Sequence, residues 1–271
     1  MAERYYRRFD RYHRVTHLVL MVSFFGLALT GLPLRFSDHA WAARLATAWG
    51  GIEASGTIHR VCAVSLICAF VAHVGRLVQR IYVARDYGAL WGPASMVPQP
   101  RDVREMFAHF RWFVGLGPRP QFDHFTYWEK FDYWAVFWGM AVIGGSGLLL
   151  WFPTFFARFL PGWLFNVAMV VHGEEALLAV GFIFTVHFFN GHLRPDKFPL
   201  DTVIFTGVVA EHELRDERPG EYARLKREGR LKALEAPPPT ARALRIGWTV
   251  GPTGLTVGLL IVVLIIVAVL T

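Results

Sequence analysis

Charged residues stand in blocks along this chain, and the apolar stretches between the blocks have a telling length. Twenty residues without Asp, Glu, Lys or Arg lie between Arg14 and Arg35, and 25 lie between Asp132 and Arg158. After Arg245 no charge follows before the last residue, Thr271. A hydrocarbon core about 30 Å thick takes roughly 20 apolar residues of helix to cross. Two further stretches, Ser55–Val78 and Trp163–Asn190, are nearly as apolar, with Arg60, Glu174 and Glu175 toward their outer ends. The pattern predicts five transmembrane helices, near 15–34, 55–78, 132–152, 167–190 and 246–270. Helices are required because lipid offers no partner to an unpaired backbone group. The expected fold class is an all-α membrane protein. It has a four-helix transmembrane bundle in residues 1–200, a basic segment in 201–245 and a fifth C-terminal transmembrane helix in 246–271.

The connections carry weaker signals. Phe36–Ala54 suits a short amphipathic helix on the outer surface. Tyr82–Thr126 is rich in Pro and Gly, with one helix expected around Asp102–Phe113. Gly220–Glu235 (GEYARLKREGRLKALE) predicts a basic amphipathic helix at the inner membrane face, where anionic lipid favours it. Pro237–Pro239 forms a stiff spacer before the last span. The first span lacks a small-residue cleavage site and is expected to stay in the protein rather than act as a signal peptide.

Charge sets the orientation. Outside the spans, Lys and Arg number 23 on the side of the N-terminus and 3 on the other. The positive-inside rule puts the N-terminus in the cytoplasm and the C-terminus outside, in an inner (cytoplasmic) membrane. The net charge of +7 is explained by this asymmetry, and no nucleic-acid partner is expected.

Histidine is the candidate chemistry. The chain has 11, and His17, His59, His73, His172 and His187 fall in or at the ends of the spans. Ionisable groups there are costly and mark functional sites. His59 and His73 are 14 residues apart, and His172 and His187 are 15 apart. Both spacings come within roughly 40–60° of whole turns, so each pair shares one side of its helix, about 21–22 Å apart. The second and fourth spans run in the same direction. His59 and His172 therefore share the outer leaflet, and His73 and His187 share the inner one with His17. Imidazole suits iron, and two stacked haems are the simplest use of two such levels. Cys62 and Cys68 make no CxxCH attachment motif, so the haem is expected to be non-covalent haem b. Gly26, Gly31, Gly144, Gly145, Gly147, Gly173 and Gly181 allow close approach of helices or of a flat macrocycle. Arg60 and Arg76 are placed either to bind haem propionates or to snorkel to headgroups. The HxxxH pair His13–His17 resembles a di-iron box, but the sequence has no adjacent HH pair, and that use is set aside.

Four segments in order, FDRYHRVTHLVLMVSFFGLALTGL, IHRVCAVSLICAFVAHVGR, EKFDYWAVFWGMAVIGGSGLLLWFP and VHGEEALLAVGFIFTVHFF, resemble the cytochrome b (gamma) subunit family of respiratory formate dehydrogenase and nickel–iron hydrogenase. The similarity covers residues 9–200. It implies an outer haem between His59 and His172, and an inner haem between His17 and His187. It also implies quinone near the inner haem, with Lys130 beside the pocket, where the neighbouring Glu129 and Asp132 could relay protons. The implied outer partner is an iron–sulfur protein or a c-type cytochrome. The spacing His172–His187 is one residue longer than the family's, and His73 is an additional histidine. His73 could replace His17, as in quinol:cytochrome c oxidoreductases, or with His192 help hold a third haem.

The function expected is therefore that of a respiratory electron-transfer subunit between an extracytoplasmic redox partner and the quinone pool. The alternative is a membrane anchor that holds a peripheral redox complex without quinone chemistry of its own.

Overall fold

A computed structural model describes residues 3–271. Its main helices are α1 (Arg11–Arg35), α2 (Ala40–Ala48), α3 (Ile52–Val83), α4 (Pro100–Phe113), α5 (Tyr127–Trp151), α6 (Trp163–Leu193), α7 (Pro219–Arg227) and α8 (Ala241–Leu270). Of these, α1, α3, α5, α6 and α8 are long and apolar enough to cross a membrane, as expected of a multi-pass helical membrane protein. They run past the sequence estimates because a helix need not end where the first charge appears. Thus α3 continues through Arg76 and Arg80 to Val83. Three of them contain wide π-helical turns that no sequence pattern announced: Gln79–Val83, Met140–Gly144, Ile183–His187 and Phe189–Leu193.

Two elements differ from the sequence reading. Strands β1 (Tyr5–Arg7), β2 (Val208–Ala210) and β3 (Glu235–Ala236) form a small antiparallel sheet in the order β2-β1-β3. Strands of two or three residues are too short for their alternation to be read. The helix expected over Gly220–Glu235 is broken: α7 ends at Arg227, and Gly229 takes a left-handed φ of 67° that turns the chain. Glu235 then belongs to β3.

The chain divides into two compact units. The first comprises the stretch ending at Arg14 together with His73–Trp134 and Thr202–Trp248. It holds the sheet, whose core is Tyr6, Val203, Val209 and Leu214. A buried ionic network sits beside it. Arg8 Nη1 pairs with Glu221 at 2.9 Å, Arg218 with Glu129 at 2.8 Å, and Arg224 with Asp123 at 2.7 Å. His124 hydrogen-bonds Glu221. Burial alone would raise the Glu221 carboxyl, but His124 and Arg8 hold it below its ordinary value. Burial and the Arg8 charge push His124 down.

The second unit comprises Val15–Ala72, Ala135–Asp201 and Thr249–Thr271. Its core centres on Phe184, which stacks on Phe25 with centroids 4.9 Å apart and meets Phe24 edge-on at 5.7 Å. Helix α8 packs into this core. Leu255 and Ile261 join this core, and Gly258 lies so close that a Cβ there would fall 2.6 Å from Phe188 and 2.7 Å from Phe184. A small residue at such a contact lets membrane helices approach closely.

Candidate functional site

The second unit brings His59 of α3 and His172 of α6 together, with ring centroids 6.3 Å apart and ring planes at 65°. Each ring is held by its Nδ1. Thr30 Oγ1 donates its one hydrogen to the Gly26 carbonyl at 2.6 Å. At 2.9 Å from His59 Nδ1 it must therefore accept, which makes Nδ1 the protonated nitrogen. The partner of His172 Nδ1 at 3.0 Å is the Ile143 carbonyl, which can only accept, so this ring too is protonated at Nδ1. Ser146 Oγ, 3.3 Å away, reinforces the hold. Both Nε2 atoms consequently carry a lone pair. An Nδ1–H fixed by a backbone or side-chain oxygen is the arrangement that orients metal-binding histidines.

Glycine makes room for each ring. A Cβ at Gly31 would sit 3.3 Å from His59 Cε1, and one at Gly147 would sit 3.0 Å from His172 Cε1. The two histidines thus face matching dipeptides, Thr30–Gly31 on α1 and Ser146–Gly147 on α5. In each, a hydroxyl approaches Nδ1 and the following glycine admits the ring. The sequence reading singled out Gly31 and Gly147 but assigned the neighbouring hydroxyls of Thr30 and Ser146 no role. The shared signal was a Ser or Thr before Gly in a helix facing a histidine.

The distance suits a metal held between the rings. With a metal–imidazole bond of about 2.0 Å, two rings at this separation would both be within reach of one metal ion. No group of three or more His, Cys, Asp or Glu side chains forms a metal site among the described residues.

The other candidates divide. His17, His187 and His192 belong to the same unit, and His17 lies within electrostatic range of the other two. Between His172 and His187 lies the π turn Ile183–His187, where the Phe188 N–H reaches the Ile183 carbonyl five residues back. His192 is oriented differently: its Nδ1 accepts the Asp201 N–H at 3.2 Å, which leaves the proton on Nε2. His73, in the first unit, has its Nε2 bonded to Tyr133 Oη at 2.8 Å.

Both arginines singled out by the sequence lie over aromatic rings. Arg60 lies over the Trp151 ring at 5.7 Å, and Arg76 pairs with Asp10 at 2.8 Å while covering the Tyr12 ring at 4.0 Å. Lys130 is buried, its ammonium on both carboxylate oxygens of Asp102 at 2.8 and 2.9 Å. Glu129 accepts from the Thr126 N–H and hydroxyl at 2.8 and 2.7 Å and from Arg218. Asp132 is partly exposed. Compared with known proteins, the chain matches no family model and no curated relative.

Proposed function

We propose that the chain is a membrane cytochrome b of the formate dehydrogenase and hydrogenase type, a respiratory subunit passing electrons between an extracytoplasmic redox partner and quinone. The observation that carries the reading is the facing pair His59 and His172, 6.3 Å apart, with both Nδ1 protons engaged and both Nε2 lone pairs available. Bound there, haem b supplies a one-electron iron couple whose potential follows its axial ligands and their surroundings. Thr30, Ile143 and Ser146 fix the imidazoles, and Gly31 and Gly147 keep space at the ring edges. Two imidazoles that both held the iron would suit electron transfer rather than oxygen chemistry.

A second haem b is assigned to His17 and His187 at the inner level. The Tyr133 bond of His73 favours His17 over His73 as partner. The proton on His192 Nε2 speaks against a third haem there. Quinone chemistry is assigned to the cytoplasmic end, near Glu129–Asp132. With Lys130 engaged by Asp102, the hydrogen-bonded pair His73–Tyr133 is the better proton carrier in that segment. An iron–sulfur protein or c-type cytochrome at the outer face completes the path.

Single replacements test the pairing. His59→Ala and His172→Ala should each abolish the same haem signal in a redox titration, while His187→Ala removes another. Loss of different signals in His59→Ala and His172→Ala would overturn the pairing. A haem-free protein that still binds a peripheral complex would instead favour the anchor role.

A further inference from the structure

Helix α4 turns an apolar side outward. At 100° per residue, Val103, Phe107, Phe110 and Val114 fall within about 60° of one another. They are 53%, 61%, 56% and 67% exposed, too much for a side packed on the protein. One flank, with Asp102 and His109, is buried. The other flank carries Arg104 and Arg111, both exposed and about 80° from the centre of the apolar side. Beside Arg111 opens a cleft of about 320 Å³, lined also by Arg119, Gln121 and the Gly117–Pro120 turn. Arg119 is steadied over the Trp112 ring at 5.5 Å. Arg111 gives one hydrogen bond to the Leu116 carbonyl at 3.2 Å.

What covers this surface follows from its neighbours along the chain. The segment leaves the span α3 at Val83 and enters the span α5 at Tyr127. Tyr82, Tyr87 and Trp91 between them are 76%, 63% and 66% exposed, as aromatic residues are at a membrane–water boundary. This is also the side that carries 23 of the loop Lys and Arg residues, the side that attracts anionic lipid.

We propose that α4 lies within the leaflet on the basic side of the membrane, and that the Arg111–Arg119 cleft holds the phosphate headgroup of an anionic phospholipid. The acyl chains lie along Val103, Phe107, Phe110 and Val114, and Arg104 marks the rim of the insertion.

The test uses the full chain in phosphatidylcholine liposomes doped with spin-labelled phosphatidylglycerol or spin-labelled phosphatidylcholine. The protein should select the anionic lipid. Arg111→Gln with Arg119→Gln should lower that selectivity by about fivefold for each arginine, at unchanged helix content. Added inorganic phosphate should leave the selectivity as it was. A nitroxide at Phe107→Cys, with Cys62 and Cys68 replaced by Ala, should be open to oxygen and shielded from an aqueous nickel chelate. A chelate-accessible nitroxide would mean that water or an absent protein partner meets this side, and would overturn the proposal. Unchanged selectivity in the double variant, or competition by free phosphate, would overturn the headgroup site.

Discussion

Thr30 accepts the Nδ1–H of His59 at 2.9 Å because its own hydrogen is already given to the Gly26 carbonyl at 2.6 Å. This relationship decides which nitrogen of His59 can act as a ligand, and it makes a short-range prediction. Thr30→Val keeps the shape and removes the acceptor, so haem affinity at the His59–His172 site should fall about 10–100-fold. Thr30→Ser should behave like the parent in a haem titration of the stripped protein. Equal affinities for Val and Ser would show that the hydroxyl has no part in orienting the ring.

Gly147 offers a steric counterpart. An added methyl would meet His172 Cε1 at 3.0 Å, closer than the 3.3 Å at Gly31 against His59. Gly147→Ala should therefore reduce haem occupancy more than Gly31→Ala, with helix content from far-ultraviolet circular dichroism unchanged in both. The reverse order of occupancy would contradict the ring positions.

Lys130 and Asp102 form a buried pair, with side chains 1% and 8% exposed. Removing the cation alone leaves a buried carboxylate, so Lys130→Ala should destabilise the protein by about 3–5 kcal/mol. Asp102→Asn in the Lys130→Met background removes the charge and can still accept the Gln99 N–H, now bonded to Asp102 at 2.6 Å. Thermal melts should recover most of the loss in the double variant. A Lys130→Ala protein as stable as the parent would refute the buried pair and return Lys130 to the quinone pocket that the family resemblance implies.

Acid should loosen the ionic network around Arg8. The Glu221 carboxyl is held below its ordinary 4.5, so its contribution is present above that value and is lost as pH falls through the folded-state value. His124 is pushed below its ordinary 6.5, so the unfolded chain takes up that proton first and stability falls as pH drops below 6.5. Both act in the same direction. The melting temperature should decline between about pH 7.5 and pH 4, and His124→Gln should flatten the upper part of the decline. A melting temperature that rises toward acid would contradict the arrangement.

Much of the architecture was legible in the sequence because lipid imposes a length and a polarity that charges punctuate. The five spans follow from the uncharged stretches, and the helix expected around Asp102–Phe113 is present, starting two residues earlier at Pro100 behind a Gln99–Asp102 capping box that the reading did not use. The shared level of His59 and His172 was legible from spacing and span direction, while their pairing was only what the family resemblance implied. Hidden features were those set by a single turn or a distant contact. The π turn at Ile183–His187 leaves no compositional mark. The pairing of Lys130 with Asp102 joins residues 28 positions apart and depends on how α4 meets α5. The sheet pairs Tyr5–Arg7 with Val208–Ala210, some two hundred residues away, in strands too short to alternate visibly.

The central claim is that facing histidines hold haem b, and the most direct measurement is a pyridine haemochrome assay on the purified full chain with the protein quantified independently. The account predicts two non-covalent haem b groups per chain, extractable with acidified acetone, and one group in His59→Ala and in His172→Ala. A ratio near zero in the parent protein, or haem that resists extraction, would contradict it.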